Sequence, residues 1–235
     1  MEDFQYVDIF ATKGIEYLLV IAFLVTLVIF WRFLNKGAKG ASEANLSEKV
    51  KTTLIDWFYL ADNFFYHQGH SWAVPESNEV VRVGVDDFAQ KLLGKPGRIE
   101  LPKLGTTVRQ GESGWRFRFN GKSITILSPV NGKVVAVNED IVNNPALINE
   151  NPYTKGWLFK VKPTKFKTDQ KNLLSGVLAH AWMENTVNEI SRRMTGNLGV
   201  VLQDGGLPIS GFVKEISSQE WDRIAKEFLL TEEMN

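Results

Sequence analysis

Residues 115–126 read Trp-Arg-Phe-Arg-Phe-Asn-Gly-Lys-Ser-Ile-Thr-Ile. Apolar and polar side chains alternate on both sides of Asn120-Gly121, the period of a half-buried strand. Asn-Gly between two such runs is a strong signal for a two-residue type I′ hairpin turn. That turn pairs Phe119 with Lys122, Phe117 with Ile124 and Trp115 with Ile126. Alternation puts those six on one face and Arg116, Arg118, Ser123 and Thr125 on the other. Arg116 and Arg118 then form either an ordinary solvated strand face or a docking patch for an acidic partner or headgroup.

The same texture extends outward over residues 64–163. Short β-branched runs at 80–85, 123–127, 133–137 and 157–161 are punctuated by Gly, Pro and Asn, which predicts a compact β-rich fold. Residues 86–93 read as one short helix with Phe88, Ala89 and Leu92 inward. Gly84 and Gly132 fall where strands must turn or approach closely, and Asn144-Pro145 and Asn151-Pro152 start turns.

Composition narrows the function classes. The chain has 235 residues with 27 basic and 27 acidic side chains, so it has no general electrostatic attraction to nucleic acid. It has no cysteine, which excludes disulfides, Cys-ligated iron–sulfur clusters, thioether-linked haem and Cys nucleophiles. No phosphate loop, nucleotide fingerprint or Gly-x-Ser-x-Gly is present. His67 and His70 are three apart, which on a strand turns them to opposite faces, the wrong arrangement for one metal ion.

The neutral total hides an asymmetry. Residues 17–34, YLLVIAFLVTLVIFWRFL, are interrupted only by Thr26 and Arg32. Eighteen residues at helical rise cover about 27 Å, close to the roughly 30 Å of a bilayer core. Tyr17 and Trp31 suit the two interfaces, and Arg32 can snorkel to the headgroups. A cleaved signal peptide would carry its basic residues first. Here Glu2, Asp3, Asp8 and Glu16 precede the run, with Lys13 alone against them, while Arg32, Lys36, Lys39, Lys49 and Lys51 lie at its end or beyond. The expectation is a single transmembrane helix at 17–34 in a bacterial inner membrane, with residues 1–16 outside and the bulk cytoplasmic.

Residues 35–45 read as a linker, and 47–62 as a membrane-proximal amphipathic helix with Val50, Leu54, Trp57, Phe58 and Ala61 on one face. Trp57 and Phe58 would either pack on their own domain or dock to the bilayer or a partner. After residue 163, helices are expected at 173–194 and 217–230. The first would present Leu174, Leu178, Trp182, Val187 and Ile190. The second would start at Ser217 or Ser218 and present Trp221, Ile224, Ala225 and Phe228. This region either packs back on the strands or holds a partner.

The central segment resembles the H protein of the glycine cleavage system. The ordered matches are Tyr66-x-x-x-His70-x-Trp72, Val83-Gly84-Val85-Asp86-Asp87-Phe88-Ala89-Gln90, and Ile99-Glu100-Leu101-Pro102 with Gly105 and Gly111-Glu112. Ser128-Pro129-Val130-Asn131-Gly132-Lys133-Val134-Val135 and a closing segment from Asn144-Pro145 through Gly156-Trp157 to Pro163 complete them. The resemblance implies a barrel–sandwich hybrid over 63–163, within an α+β chain whose helical extension is 164–235. It also implies a lipoyl group on a lysine at the hairpin tip. Aligned without a gap, that lysine falls on Gly121 and the family's preceding Glu on Arg118, so the motif has departed. Lys122 stays the one plausible attachment residue. The expected role is a non-catalytic, cofactor-free docking or assembly subunit of a membrane complex, a respiratory or redox complex being one candidate. The alternative is a membrane-tethered carrier with lipoate on Lys122.

Overall fold

The computed structural model describes residues 9–38, 57–77, 79–194 and 206–231, and side chains within the first of these at Gly14, 17–30 and Arg32. The chain forms two units, Met1–Thr53 and Leu54–Asn235.

The first unit contains helix α1, Ile9–Ala38. It includes residues 17–34 and continues through the first residues of the expected linker. Its described apolar side chains are exposed, from Leu27 at 48% to Leu18 at 68%, and Thr26 donates its hydroxyl to the Ala22 carbonyl at 2.7 Å. Among the described residues no helix is long and apolar enough to cross a membrane. The Trp31 side chain lies outside them. The expected helix at 47–62 is described only from residue 57, and there it is corrected: 57–62 is turn and irregular chain.

Among the described residues the second unit is built on nine strands in two antiparallel sheets. In chain order these are β1 (Phe65–Tyr66), β2 (Ser71–Pro75), β3 (Val81–Val85), β4 (Arg98–Glu100), β5 (Thr107–Val108), β6 (Ser113–Phe119), β7 (Lys122–Leu127), β8 (Gly132–Val137) and β9 (Phe159–Pro163). One sheet runs β1-β2-β3-β9-β8-β5 and the other β4-β6-β7. All four expected strand runs are present, with boundaries moved by one or two residues. Gly132 shows why one of its positions admits no side chain: a Cβ there would sit 2.3 Å from the Lys162 carbonyl oxygen on β9.

Helix α2, Asp87–Leu93, follows β3 as expected, with Phe88, Ala89 and Leu92 fully buried. Asp86 caps it, accepting the Ala89 N–H at 2.8 Å. Helices α3 (Glu139–Asn143), α4 (Leu147–Glu150) and α5 (Phe166–Asp169) are single turns before and after β9. Helix α6, Gly176–Met194, buries Ala179, Met183, Thr186, Val187, Ile190 and Met194. The expected face is half right. Val187 and Ile190 point inward, but Leu178 is 67% exposed, because the inward stripe begins one residue later at Ala179. Helix α7 is Val213–Ile216, and α8, Trp221–Phe228, buries the expected set of Trp221, Ile224, Ala225 and Phe228. Ser217 lies before α8 and accepts the Glu220 N–H at 3.1 Å, so the helix begins later than its serines suggest.

The core is continuous across the sheets and the later helices. Trp72, Tyr66, Phe88, Phe117, Phe159 and Phe212 are among its fully buried side chains. Trp57 and Phe58 belong to it too, each 3% exposed, which corrects their reading as docking residues. Phe58 meets Phe88 edge-on at 5.0 Å, and the chain there is tied down on both sides. Lys91 donates to the Trp57 carbonyl at 2.9 Å, and Asp87 accepts the Tyr59 N–H at 2.8 Å. Burial raises the phenols of Tyr66 and Tyr153, so both stay protonated and donate, to the Ala61 carbonyl at 3.0 Å and the Tyr59 carbonyl at 2.6 Å.

Candidate functional site

The β6–β7 hairpin has the expected register: Phe119 opposite Lys122, Phe117 opposite Ile124, Trp115 opposite Ile126. Trp115, Phe117, Ile124 and Ile126 are buried, while Arg116 and Arg118 are exposed. The turn type is corrected. Type I′ needs positive φ at both central residues, and here only Gly121 has it, at 75°. Gly121 is therefore suited to the turn by conformation, and it carries no side chain to modify.

The tip is not bare. Helix α8 lies against the hairpin, and Trp221 meets Phe119 edge-on at 5.3 Å. Lys122 is drawn onto the same helix. Its Nζ donates to the Gln219 carbonyl at 2.8 Å and to a short ion pair with Asp222, and it lies over the Trp221 ring at 5.4 Å. Lys214 approaches the same rings, 4.9 Å from the Phe119 centroid and 5.3 Å from that of Trp221. The Lys122 bond holds the Asp222 carboxyl below its ordinary range. Arg193 of α6 pairs with Glu227 of α8, which lowers the Glu227 carboxyl likewise and ties the far end of α8 to the domain.

A lipoyl arm needs an amine free at the tip, and this arrangement does not fit one. Gly121 offers no amine, and the ammonium at 122 is engaged on the C-terminal helix. The residues that engage it, Gln219, Trp221 and Asp222, were absent from the sequence-based candidates. The apolar stripe of α8 was legible, but nothing in its spacing says that it meets a hairpin 100 residues earlier.

Arg116 and Arg118 do not act as one patch. Arg118 donates to Glu100 of β4 at 2.9 Å, and the Arg118 bond, with help from Arg98 and Arg116, holds the Glu100 carboxyl low. Arg116 has no hydrogen-bonded carboxylate among the described residues. His67 and His70 are also separated in role. His67 accepts the Gly69 N–H at 3.0 Å, and burial, followed by the neighbouring His70, lowers its pKa. His70 is buried with its Nδ1 2.7 Å from Asp86, its ring 4.2 Å from Phe88 and 4.6 Å from Trp182. That places it as a joint between β2, α2 and α6.

Fold and hairpin together define the class: a β-sandwich of two antiparallel sheets with C-terminal helices packed on it. The glycine cleavage H-protein family model matches residues 64–186, just over half of the chain. A second model, described only as a protein, matches 9–39. The chain is 34% identical over 124 residues to the glycine cleavage system H protein of Pseudoalteromonas atlantica, covering 53% of this chain and 92% of that one. It is 42% identical over 110 residues to that of Corynebacterium jeikeium, covering 45% and 86%. A crystal structure of a glycine cleavage system H protein from Mycobacterium marinum is 33% identical, covering 45% of this chain and 87% of that one, at a TM-score of 0.41. This chain belongs to the glycine cleavage H-protein family. That family is one of lipoyl carriers that are not themselves catalytic. Helix α8, which occupies the hairpin, lies beyond the family match.

Proposed function

We propose that this chain is a non-lipoylated H-protein-like subunit, tethered to the bacterial inner membrane by α1 and serving to dock or assemble other subunits of a membrane complex, of respiratory or redox type. The observation that carries the reading is the engaged tip: Gly121 at the turn and Lys122 bonded to Gln219 and Asp222. The tether is supported by the apolar stretch at 17–34, which lies inside a continuous 30-residue helix, and by the basic flank that follows it. The N-terminus would lie outside and the H-protein-like domain in the cytoplasm.

A second reading keeps the family's role, with lipoate on Lys122 of a membrane-tethered carrier. Family membership favours it. It requires α8 to release Lys122, because the ammonium must become a free amine before acylation.

Intact-mass measurement of the chain purified from its native host separates the two. The unmodified mass is expected; a lipoyl adduct on Lys122 sinks the first reading and supports the second. Purification in mild detergent should bring down defined partner chains, and recovery of the chain alone would leave the docking role without support. Because the chain has no cysteine, Glu2→Cys and Asn120→Cys give clean labels for orientation. A membrane-impermeant maleimide should reach the first and not the second in intact cells with a permeabilised outer layer.

A further inference from the structure

We propose that the groove between the polar face of the β6–β7 hairpin and helix α8 is a phosphate-binding site. This goes beyond the docking reading, and neither depends on the other.

The groove holds about 550 Å³ and is lined by Arg116, Ser123 and Thr125 from the hairpin, with Asp222, Arg223, Lys226 and Thr231 opposite. The hairpin register sets Arg116 directly opposite Thr125 on neighbouring strands, so guanidinium and hydroxyl share one wall. Arg223 and Lys226 come from α8.

The charges do not cancel inside it. Asp222, the lining carboxylate, is taken by Lys122, and Lys226 reaches it only at 3.8 Å. Glu100, opposite Arg116 in register, is taken by Arg118. Arg223 pairs with Glu220 at 3.0 Å, but that pair is solvent-exposed and weak. Arg116 therefore faces the groove with its donors unmatched among the described residues.

Thr231 supplies the observation that points to a ligand. The residue lines the polar groove, and its Oγ1 has no hydrogen-bond partner among the described residues. The chain reaches that position by a costly route. After α8 the Leu230 N–H bonds to the Glu227 carbonyl and the Thr231 N–H to the Lys226 carbonyl, the double bond of a Schellman ending. Glycine normally takes the left-handed residue of that motif, yet here it is Leu230, at φ 55° and 51% exposed. No burial of Leu230 compensates for the strain. Its consequence is to turn Thr231 back beside Lys226 and into the groove.

An oxyanion resolves these features together. A guanidinium fork, an ammonium and hydroxyls approaching from two walls match the several acceptor oxygens of a phosphate group. A carboxylate would use fewer of them. An acidic peptide would also want an apolar anchor, and the lining has none.

The test uses the full chain in a neutral detergent. Inorganic phosphate and glycerol 3-phosphate are the free probes, and dihexanoyl phosphatidylglycerol, with dihexanoyl phosphatidylcholine as control, is the headgroup probe. Binding is read by phosphorus NMR line broadening and by the rise in thermal midpoint that a ligand of the folded state produces. Saturable binding of inorganic phosphate beyond the effect of chloride at equal ionic strength is expected. Arg116→Gln with Lys226→Gln should weaken it at least about tenfold, and Thr231→Val should weaken it several-fold while leaving the net charge unchanged. Competition by the phosphatidylglycerol probe would assign the site to a lipid headgroup, and its absence to a soluble phosphate; both support the site. No saturable binding, equal binding by the double variant, or binding of polyglutamate without phosphate would overturn it.

Discussion

Two regions of the same hairpin contrast in how they are held. The inward face of its stem, Trp115, Phe117, Ile124 and Ile126, is at most 2% exposed and packs into the common core. The tip is held by something else: an aromatic edge contact, a cation–ring contact and an ion pair to α8, and a second cation–ring contact from Lys214 of α7. Stem contacts are apolar and lie inside the family-matched segment. Tip contacts mix rings with charges and come from elements outside it. The stem specifies the fold, while the tip contact specifies what the fold presents.

Breaking the stem should cost most. Phe117→Ala removes a fully enclosed ring and should destabilise the domain by about 3–5 kcal/mol in urea unfolding. A loss below about 1 kcal/mol would mean that the stem is not core. Trp221→Ala acts on the tip contact, removing the ring shared by Phe119, Lys122 and Lys214. A loss of about 2 kcal/mol is expected, with faster proteolysis or amide exchange confined to α8 while β6 and β7 stay protected. Loss of protection throughout the domain would show that tip and stem are one cooperative unit.

Smaller changes sharpen the contrast. Leu230→Gly relieves the left-handed strain at the end of α8 and should stabilise by about 1 kcal/mol, read as a higher urea midpoint. Asp222→Asn should cost less than about 1 kcal/mol, since the pair with Lys122 is partly exposed, and the cost should shrink in high salt. Acid makes the same point. Asp222 and Glu227 have carboxyls held below their unfolded values of 3.8 and 4.5. Their contribution is present above those values and is lost as pH falls through the lower folded ones. Exchange protection of α8 should therefore decline below about pH 4 before that of β6, and Asp222→Asn should flatten that decline.

The parts that local chemistry controls were legible in the chain. Period-two alternation around Asn120-Gly121 yields the register and the inward set, because a side chain's face on a strand follows from parity alone. Helix α2 and the buried stripe of α8 follow from spacing in the same way. The turn type was misread because Asn-Gly permits more than one geometry. The inward stripe of α6 was misjudged at Leu178, because a helix with apolar residues at adjacent positions fits two rotations, and packing selects one. Trp57 and Phe58 could have faced outward by their spacing; Lys91, Asp87 and the two tyrosines hold them inside.

The amino-acid order alone was enough for the H-protein-like core, the apolar N-terminal stretch with its one-sided charge, and a glycine at the hairpin tip. Each is a property of neighbours along the chain or of residue identity. Where Lys122 goes, which arginine keeps a partner, and what Thr231 faces were decided only in the folded molecule. Those outcomes depend on contacts between segments 18 to 100 residues apart, and pairing between separate elements is set by the shape of the whole core rather than by any local pattern.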